Sequence, residues 1–168
     1  SYTAVLLSQT AVPAWREAHP YLPFVFTGSA AASGGGLGML LAPVDESGPA
    51  RRMAVAGAGL ELAASRTLEQ RLGLSAEAYK TGKAHQLRRW SEILTVGGAV
   101  GAVVGGRRRS VVAASGLALL AGSALQRFGV FEAGVASTKD PKYVVVPQRL
   151  RLEAGQPARG DELAAVRK

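Results

Sequence analysis

The sequence predicts an all-α fold: a transmembrane, up-down four-helix bundle, with a partial helix before it and an extended tail after it. Three observations lead to this prediction. Residues 22–44 form a run of 23 positions without a charged side chain. Glycine contributes 21 of the 168 residues, whereas only 6% of the residues are aromatic. The arginines and lysines behind the net charge of +8 are clustered between the apolar runs.

The chain is expected to open with the end of a helix. Residues 1–12 are apolar and have no basic region before them, unlike a signal peptide. Pro13 is expected to end this helix. Trp15 and Tyr21 then suit a connector at the level of the lipid head groups. We assign residues 1–21 to this partial helix and connector, and the start at Ser1 suggests a fragment or a processed product.

The uncharged run contains the first complete span, residues 22–42. A helix of 23 residues reaches about 34 Å, and the hydrocarbon core of a bilayer is about 30 Å thick. The alternative is a core helix of a large soluble domain, but a chain of 168 residues has little protein to surround such a helix. Gly28, Ala32 and Gly36 recur every four residues and predict close packing against a neighbouring helix.

Three more spans complete a bundle over residues 22–136, at residues 50–72, 90–106 and 110–131. A turn at 43–49, a polar loop at 74–86 and a basic turn at 107–109 separate them. Short connections favour antiparallel neighbours. In the third span, Gly97, Gly101 and Gly105 predict a second packing stripe. The uncharged part of this span is short for a membrane crossing, but the flanking residues within 87–107 can anchor at the membrane interface and complete it. Residues 137–168 are expected to form a polar tail with a β-prone stretch at 144–146.

Composition excludes several kinds of chemistry. The absence of cysteine rules out disulfides, thiolate catalysis and cysteine-ligated metals within this chain. The two histidines, His19 and His85, lie outside the predicted spans, so they cannot hold a haem within the bundle. We expect no metal site and no covalently bound cofactor. The basic clusters lie in the loops between the predicted spans, as in membrane proteins. We therefore expect membrane lipid rather than nucleic acid as a partner.

Glu61 is the main candidate for chemistry, because it lies near the middle of the second predicted span. An ionisable group at membrane depth faces the protein interior or a water-filled cavity. Two interpretations stay open: a carboxylate of a proton relay or quinone pocket, and a structural polar contact between helices. Arg66 and Glu69 follow on the same helix and are spaced to form a pair. Arg127 and Glu132 form a second charged group at the end of the last span.

The segment QRFGVFEAGVASTKDPKYVVVPQR resembles the C-terminal signature of the NrfD-like family, the membrane subunits of polysulfide reductase and related enzymes. The stretches SYTAVLLSQTAVPAW and LPFVFTGSAAASGGG resemble the middle region of that family. The resemblance implies an eight-span protein made of two four-helix bundles. This chain would then be the C-terminal half, packed against an N-terminal bundle.

The resemblance also implies a function. Members pass electrons between membrane quinone, such as menaquinone, and a ferredoxin-like iron–sulfur subunit that serves a molybdopterin catalytic subunit. Examples are the membrane subunits of polysulfide reductase, formate dehydrogenase and DMSO reductase. The expected location is the bacterial inner membrane, crossed several times. The family's quinone contacts lie mainly in the N-terminal bundle, so none is carried over to this chain.

The residues after the last span offer candidates for contact with an extrinsic subunit: Asp140, Lys142 and Tyr143. The chain could be quinone-reactive, a structural membrane anchor without quinone chemistry, or an ion- or solute-transporting bundle that uses Glu61. Neither the substrate of the partner enzyme, nor the direction of electron flow, nor the orientation in the membrane can be read from the residues.

Overall fold

A computed structural model of the chain describes residues 12–71 and 82–139, together with Val145 and Arg149. The described residues contain no strand and form five helices, which confirms the all-α prediction. They are α1 (Pro13–Glu17), α2 (Leu22–Leu41), α3 (Gly48–Arg71), α4 (Gly82–Val104) and α5 (Arg109–Lys139).

The four long helices close into a ring in the order α2, α3, α4, α5. Contacts are most extensive between α4 and α5 and between α2 and α3, and least extensive between α3 and α4. Neighbours run antiparallel, because Gly28 of α2 lies against Glu61 of α3 while Gly35 lies against Ala54. We call the two ends of this bundle the α1 end, where α2 begins and α5 finishes, and the arginine end, which carries the turns at 42–47 and 105–108.

Helix α2 forms although it contains consecutive glycines, each of which costs about 1 kcal/mol relative to alanine in a helix. Close packing offsets this cost. A Cβ atom on Gly28 would lie 2.5 Å from the backbone nitrogen of Glu61, and one on Gly36 would lie 2.9 Å from the carbonyl oxygen of Gly116. The backbones of α2, α3 and α5 therefore touch where the sequence predicts a packing stripe.

Of the second predicted stripe, Gly101 and Gly105 are packed, but Gly97 is not. A Cβ atom on Gly97 would meet nothing within 4 Å, whereas one on Gly98 would lie 2.7 Å from Leu119. Gly101 also faces α5, at Ser115. A helix face recurs at alternating steps of three and four residues, so Gly98 and Gly101 share the packed face and Gly97 turns away from it.

Helices α4 and α5 are longer than predicted. Residues 82–86, expected in a loop, form the first turn of α4, because Ala84 and Arg88 are buried one turn apart. Helix α5 continues to Lys139 instead of ending near Phe131, since Ala133 and Ser137 extend its buried face. The rest of the predicted loop, at 74–81, lies outside the described residues. So does the predicted tail beyond 139, apart from Val145 and Arg149.

Residues 13–17 of the expected connector form helix α1. Pro13 is its first residue, since proline fits the first helical turn, where its missing N–H costs nothing. The indole nitrogen of Trp15 donates a hydrogen bond to the carbonyl of Val130 at 2.9 Å. The backbone N–H of Ala14 donates to the Ser137 hydroxyl at 3.4 Å. Helix α1 is therefore docked on α5, and the predicted partial helix at residues 1–11 lies outside the described residues.

The bundle exposes many large hydrophobic side chains and buries several polar ones. Two helices, α2 and α5, are long and apolar enough to cross a membrane. Many large hydrophobic side chains are exposed: Phe24, Leu37, Leu41, Met53, Leu60, Trp90, Ile93, Val96, Val100, Val103, Val104, Leu117, Phe128, Phe131 and Val145. In contrast, the buried side chains include Ser29, Glu61, Ser91, Thr95, Ser115, Ser123 and Gln126.

Candidate functional site

A cavity of about 270 Å³ lies between α3 and α4, in the half of the bundle nearer the α1 end. This is the seam at which the ring of helices is packed least closely. The lining is mostly polar or charged: Glu61, Leu62, Ser65, Arg66, Glu69, His85, Arg88, Arg89, Ser91, Glu92, Thr95 and Gln126. Two helices thus supply nearly all of the wall, and α5 closes its floor with Gln126.

Glu61 is the most deeply placed acidic residue of this lining, with only 2% of its surface exposed. Ser29 on α2 is also buried, and its hydroxyl is hydrogen-bonded to the Ser123 hydroxyl of α5 at 2.7 Å. The Oε2 atom of Glu61 has no hydrogen-bond partner in the described structure. This carboxyl oxygen is therefore left unsatisfied in a buried site, which is energetically costly.

Thr95 on α4 carries a second unsatisfied atom. Its side chain is 1% exposed, and among the described residues its hydroxyl oxygen has no hydrogen-bond partner. The neighbouring polar groups are satisfied. Gln126 donates to the Ser65 hydroxyl at 3.2 Å, and the Ser91 hydroxyl donates to the carbonyl of Gly122 at 2.7 Å. The cavity wall thus offers a free carboxyl oxygen from α3 and a free hydroxyl from α4.

Two ion pairs bridge α3 and α4 beside the cavity. Arg66 pairs with Glu92 at 3.1 Å, and both side chains are exposed. Glu69 pairs with Arg88, whose side chain is buried. The sequence had suggested that Arg66 and Glu69 pair with each other, but the structure gives each a partner on α4. Since both pairs join the two helices of the loosest seam, they hold that seam together.

The structure therefore brings three of the predicted residues, Glu61, Arg66 and Glu69, into one cavity. Arg127 is exposed and does not line it, although its guanidinium acts on the Glu61 carboxyl through space. Glu132 is half-buried farther along α5. Neither Arg127 nor Glu132 takes part in an ion pair within the described part of the chain. The predicted contact residues Asp140, Lys142 and Tyr143 lie outside the described residues.

Sequence reasoning missed several polar members of the site: Ser29, Ser65, Arg88, Glu92, Thr95 and Gln126. A usable signal existed for two of them. Ser29 precedes Ala32 by three positions and Gly36 by seven, and Thr95 precedes Gly98 by three, so both lie on the small-residue faces that point inward. A hydroxyl on such a face is directed at the interior of the bundle. Within residues 12–71 and 82–139, no group of three histidine or acidic side chains is placed to hold a metal ion.

Comparison with known proteins finds no matching family model, no matching curated protein and no matching solved structure. The resemblance to the NrfD-like family therefore stays a prediction.

Proposed function

We propose that the chain is a membrane-embedded subunit of an oxidoreductase complex, in which the cavity binds the ring of a quinone or quinol. Glu61 would exchange a proton with that ring. The observation that carries the proposal is the buried carboxyl group of Glu61, whose Oε2 atom has no hydrogen-bond partner at a polar cavity inside a bundle with an apolar exterior.

The polarity of the bundle supports the membrane part of the proposal. In lipid, polar side chains gather inside a helical bundle, and apolar side chains face outward. The exposed Val100 and Leu117, set against the buried Ser115 and Gln126, follow this arrangement. Apart from Glu61, the charged residues of α3 lie within six positions of its ends. They can therefore reach a membrane interface by extending their side chains along the helix.

The cavity supports the quinone part of the proposal. A volume of about 270 Å³ suits a ring-sized head group rather than a whole prenylated molecule. The loosely packed seam between α3 and α4 would let the prenyl tail leave toward the lipid. Reduction of a quinone takes up two electrons and two protons, and produces a quinol. The free oxygen of Glu61 can supply or accept one proton, while the Thr95 hydroxyl can donate a hydrogen bond to a ring carbonyl.

The partners in this proposal come from the sequence resemblance. Electrons would pass between the quinone and a ferredoxin-like iron–sulfur subunit, which serves a molybdopterin catalytic subunit in the bacterial inner membrane. An N-terminal four-helix bundle would pack beside this one. Asp140, Lys142 and Tyr143 remain the proposed contacts to the extrinsic subunit.

The test is the substitution Glu61→Gln in the intact complex, with quinone turnover as the measurement. Glutamine keeps the size of the side chain but cannot carry a proton, so we expect turnover to fall roughly 100-fold. Co-purification of the other subunits checks that assembly survives. The control is Glu46→Gln, which removes an exposed carboxylate at the opposite end of the bundle.

Two other outcomes would support a different function. Unchanged turnover in Glu61→Gln would favour a structural anchor without quinone chemistry. Movement of an ion or solute into liposomes without a redox partner, lost in the same variant, would instead identify a transporter.

A further inference from the structure

The arginine end, opposite the cavity, carries a group of basic residues. Five arginines lie there: Arg51, Arg52, Arg107, Arg108 and Arg109. Two carboxylates, Asp45 and Glu46, lie in the turn between α2 and α3. This end therefore carries a net positive charge, and its arginines come from two segments, 51–52 and 107–109, that the fold brings together.

Two of the five arginines are used within the protein. Arg51 donates a hydrogen bond to the carbonyl of Gly106 in the turn between α4 and α5. Arg109 donates to the carbonyls of Met39 at 3.1 Å and Ala42 at 2.8 Å, at the end of α2. Arg109 thus satisfies carbonyls that have no partner within their own helix.

The other three arginines, Arg52, Arg107 and Arg108, are exposed. None of them forms an ion pair with another residue in the described part of the chain. At the α1 end, Arg66 and Arg88 are each paired with a carboxylate, whereas Arg16 and Arg71 are exposed and form no ion pair in the described part of the chain. The turn that carries Arg107 and Arg108 is fixed by its backbone: the N–H of Arg108 donates to the carbonyl of Gly105 at 3.0 Å.

Exposed aliphatic side chains lie at the same end of the bundle as these arginines. Leu41 is the last residue of α2 and is 77% exposed, and Val103 and Val104 end α4 immediately before the basic turn. A surface that passes from aliphatic to cationic within one turn matches the boundary between acyl chains and head groups. A soluble acidic partner would leave this aliphatic rim in water.

We propose that Arg52, Arg107 and Arg108 form a binding surface for the phosphate groups of anionic phospholipids, with Leu41, Val103 and Val104 against the first acyl carbons. This rests on the membrane location in the proposed function, but not on the quinone chemistry. Guanidinium groups bind phosphate through two parallel hydrogen bonds, and cationic residues beside a membrane favour anionic lipid.

The test compares the binding of phosphatidylglycerol and phosphatidylcholine to the full chain in neutral detergent, by native mass spectrometry. Each arginine near an anionic surface is worth about a fivefold change in affinity, so Arg107→Gln/Arg108→Gln should weaken phosphatidylglycerol binding about 25-fold. Binding of phosphatidylcholine should not change. The matched control is Arg16→Gln/Arg71→Gln, which removes two exposed charges near the α1 end and should leave the preference intact.

A preference for phosphatidylglycerol that survives in the Arg107→Gln/Arg108→Gln variant, or that is lost equally in the control, would overturn the lipid surface. Reconstitution of the unaltered chain into phosphatidylcholine vesicles separates this result from the proposed function. Failure to insert would refute the membrane location itself, whereas insertion without a preference for anionic lipid would refute only the surface.

Discussion

At the scale of single residues, Gly57 shows how closely two helices approach. A Cβ atom there would lie 2.4 Å from the backbone nitrogen of Ala32, which belongs to α2. Backbone cannot move aside as a flexible side chain can. Gly59, two positions along the same helix, has nothing within 4 Å of its Cβ direction. The two glycines therefore differ in packing while sharing the same helix.

We predict that Gly57→Ala lowers the free energy of unfolding by about 1–3 kcal/mol, because α2 and α3 must separate. Gly59→Ala should be neutral or raise stability by up to about 1 kcal/mol, since alanine favours the helix. Thermal unfolding of both variants in detergent gives the measurement. Equal effects of the two substitutions would show that α2 and α3 are not in backbone contact.

Some residues of the site can be predicted from the sequence, and others cannot. Glu61 is predictable, because a charge in the middle of a long helix stands out against its apolar neighbours. Arg88 and Gln126 are not, because charged and amide side chains are common in helices that have no site. These residues line the site only because they lie on the buried faces of α4 and α5. Local sequence does not show which face is buried: of the adjacent Gly97 and Gly98, only Gly98 is packed against another helix.

At the scale of helices, the docking of α1 on α5 depends on one aromatic residue. The Trp15 ring occupies the space over Gly134, where a Cβ atom would lie 2.1 Å from ring carbon Cε2. Phe131 packs beside it, with ring centroids 6.2 Å apart. The indole also donates a hydrogen bond to Val130, a contact worth about 0.5–1.5 kcal/mol.

We predict that Gly134→Ala displaces the Trp15 ring and loosens α1. The chain has two tryptophans, so the exposed Trp90 is first replaced by phenylalanine to leave Trp15 as the single reporter. Quenching of its fluorescence by acrylamide should then increase in Gly134→Ala. Gly97→Ala, at an open position of α4, should not change it. If quenching is the same in both variants, Trp15 is not seated over Gly134.

The lengths of the helices show what local sequence can predict. Helices α2 and α3 match their predicted spans within two residues at each end, because a proline-rich turn separates them. The start of α4 and the end of α5 do not match. Polar residues such as Lys83 and Thr138 suggest a loop or a tail, and the helices extend through them because Ala84 and Ser137 are buried against other helices. Such contacts between distant residues are not visible in local composition.

At the scale of the whole molecule, both halves of the bundle have a hydrophobic core, and the polar cavity lies in one of them. Toward the arginine end, the core consists of small and aliphatic residues such as Ala54, Ala102 and Val112. Toward the α1 end, a second core includes Leu22, Phe26 and Leu68, and the cavity and its ion pairs lie in the loosest seam. The polar site is therefore supported by hydrophobic packing at both ends of the bundle.

The apolar exterior leads to a prediction that separates a membrane protein from a soluble one. Leu117 is 58% exposed, about 12 Å from the start of α5 at the usual rise per residue. A lysine at membrane depth costs about 3 kcal/mol, whereas most surface substitutions in soluble proteins change stability by less than about 0.5 kcal/mol. Leu117→Lys should therefore be strongly unfavourable only if this face contacts lipid.

We predict that the unaltered chain stays in the membrane pellet after extraction with alkaline carbonate. Leu117→Lys should reduce the fraction in the pellet and lower the midpoint of thermal unfolding in detergent. The control is Thr138→Lys, which adds the same charge at an exposed position near the end of α5, where the lysine can reach the interface. Release of the unaltered chain by carbonate, or a more soluble and equally stable Leu117→Lys variant, would show that the apolar face does not contact lipid.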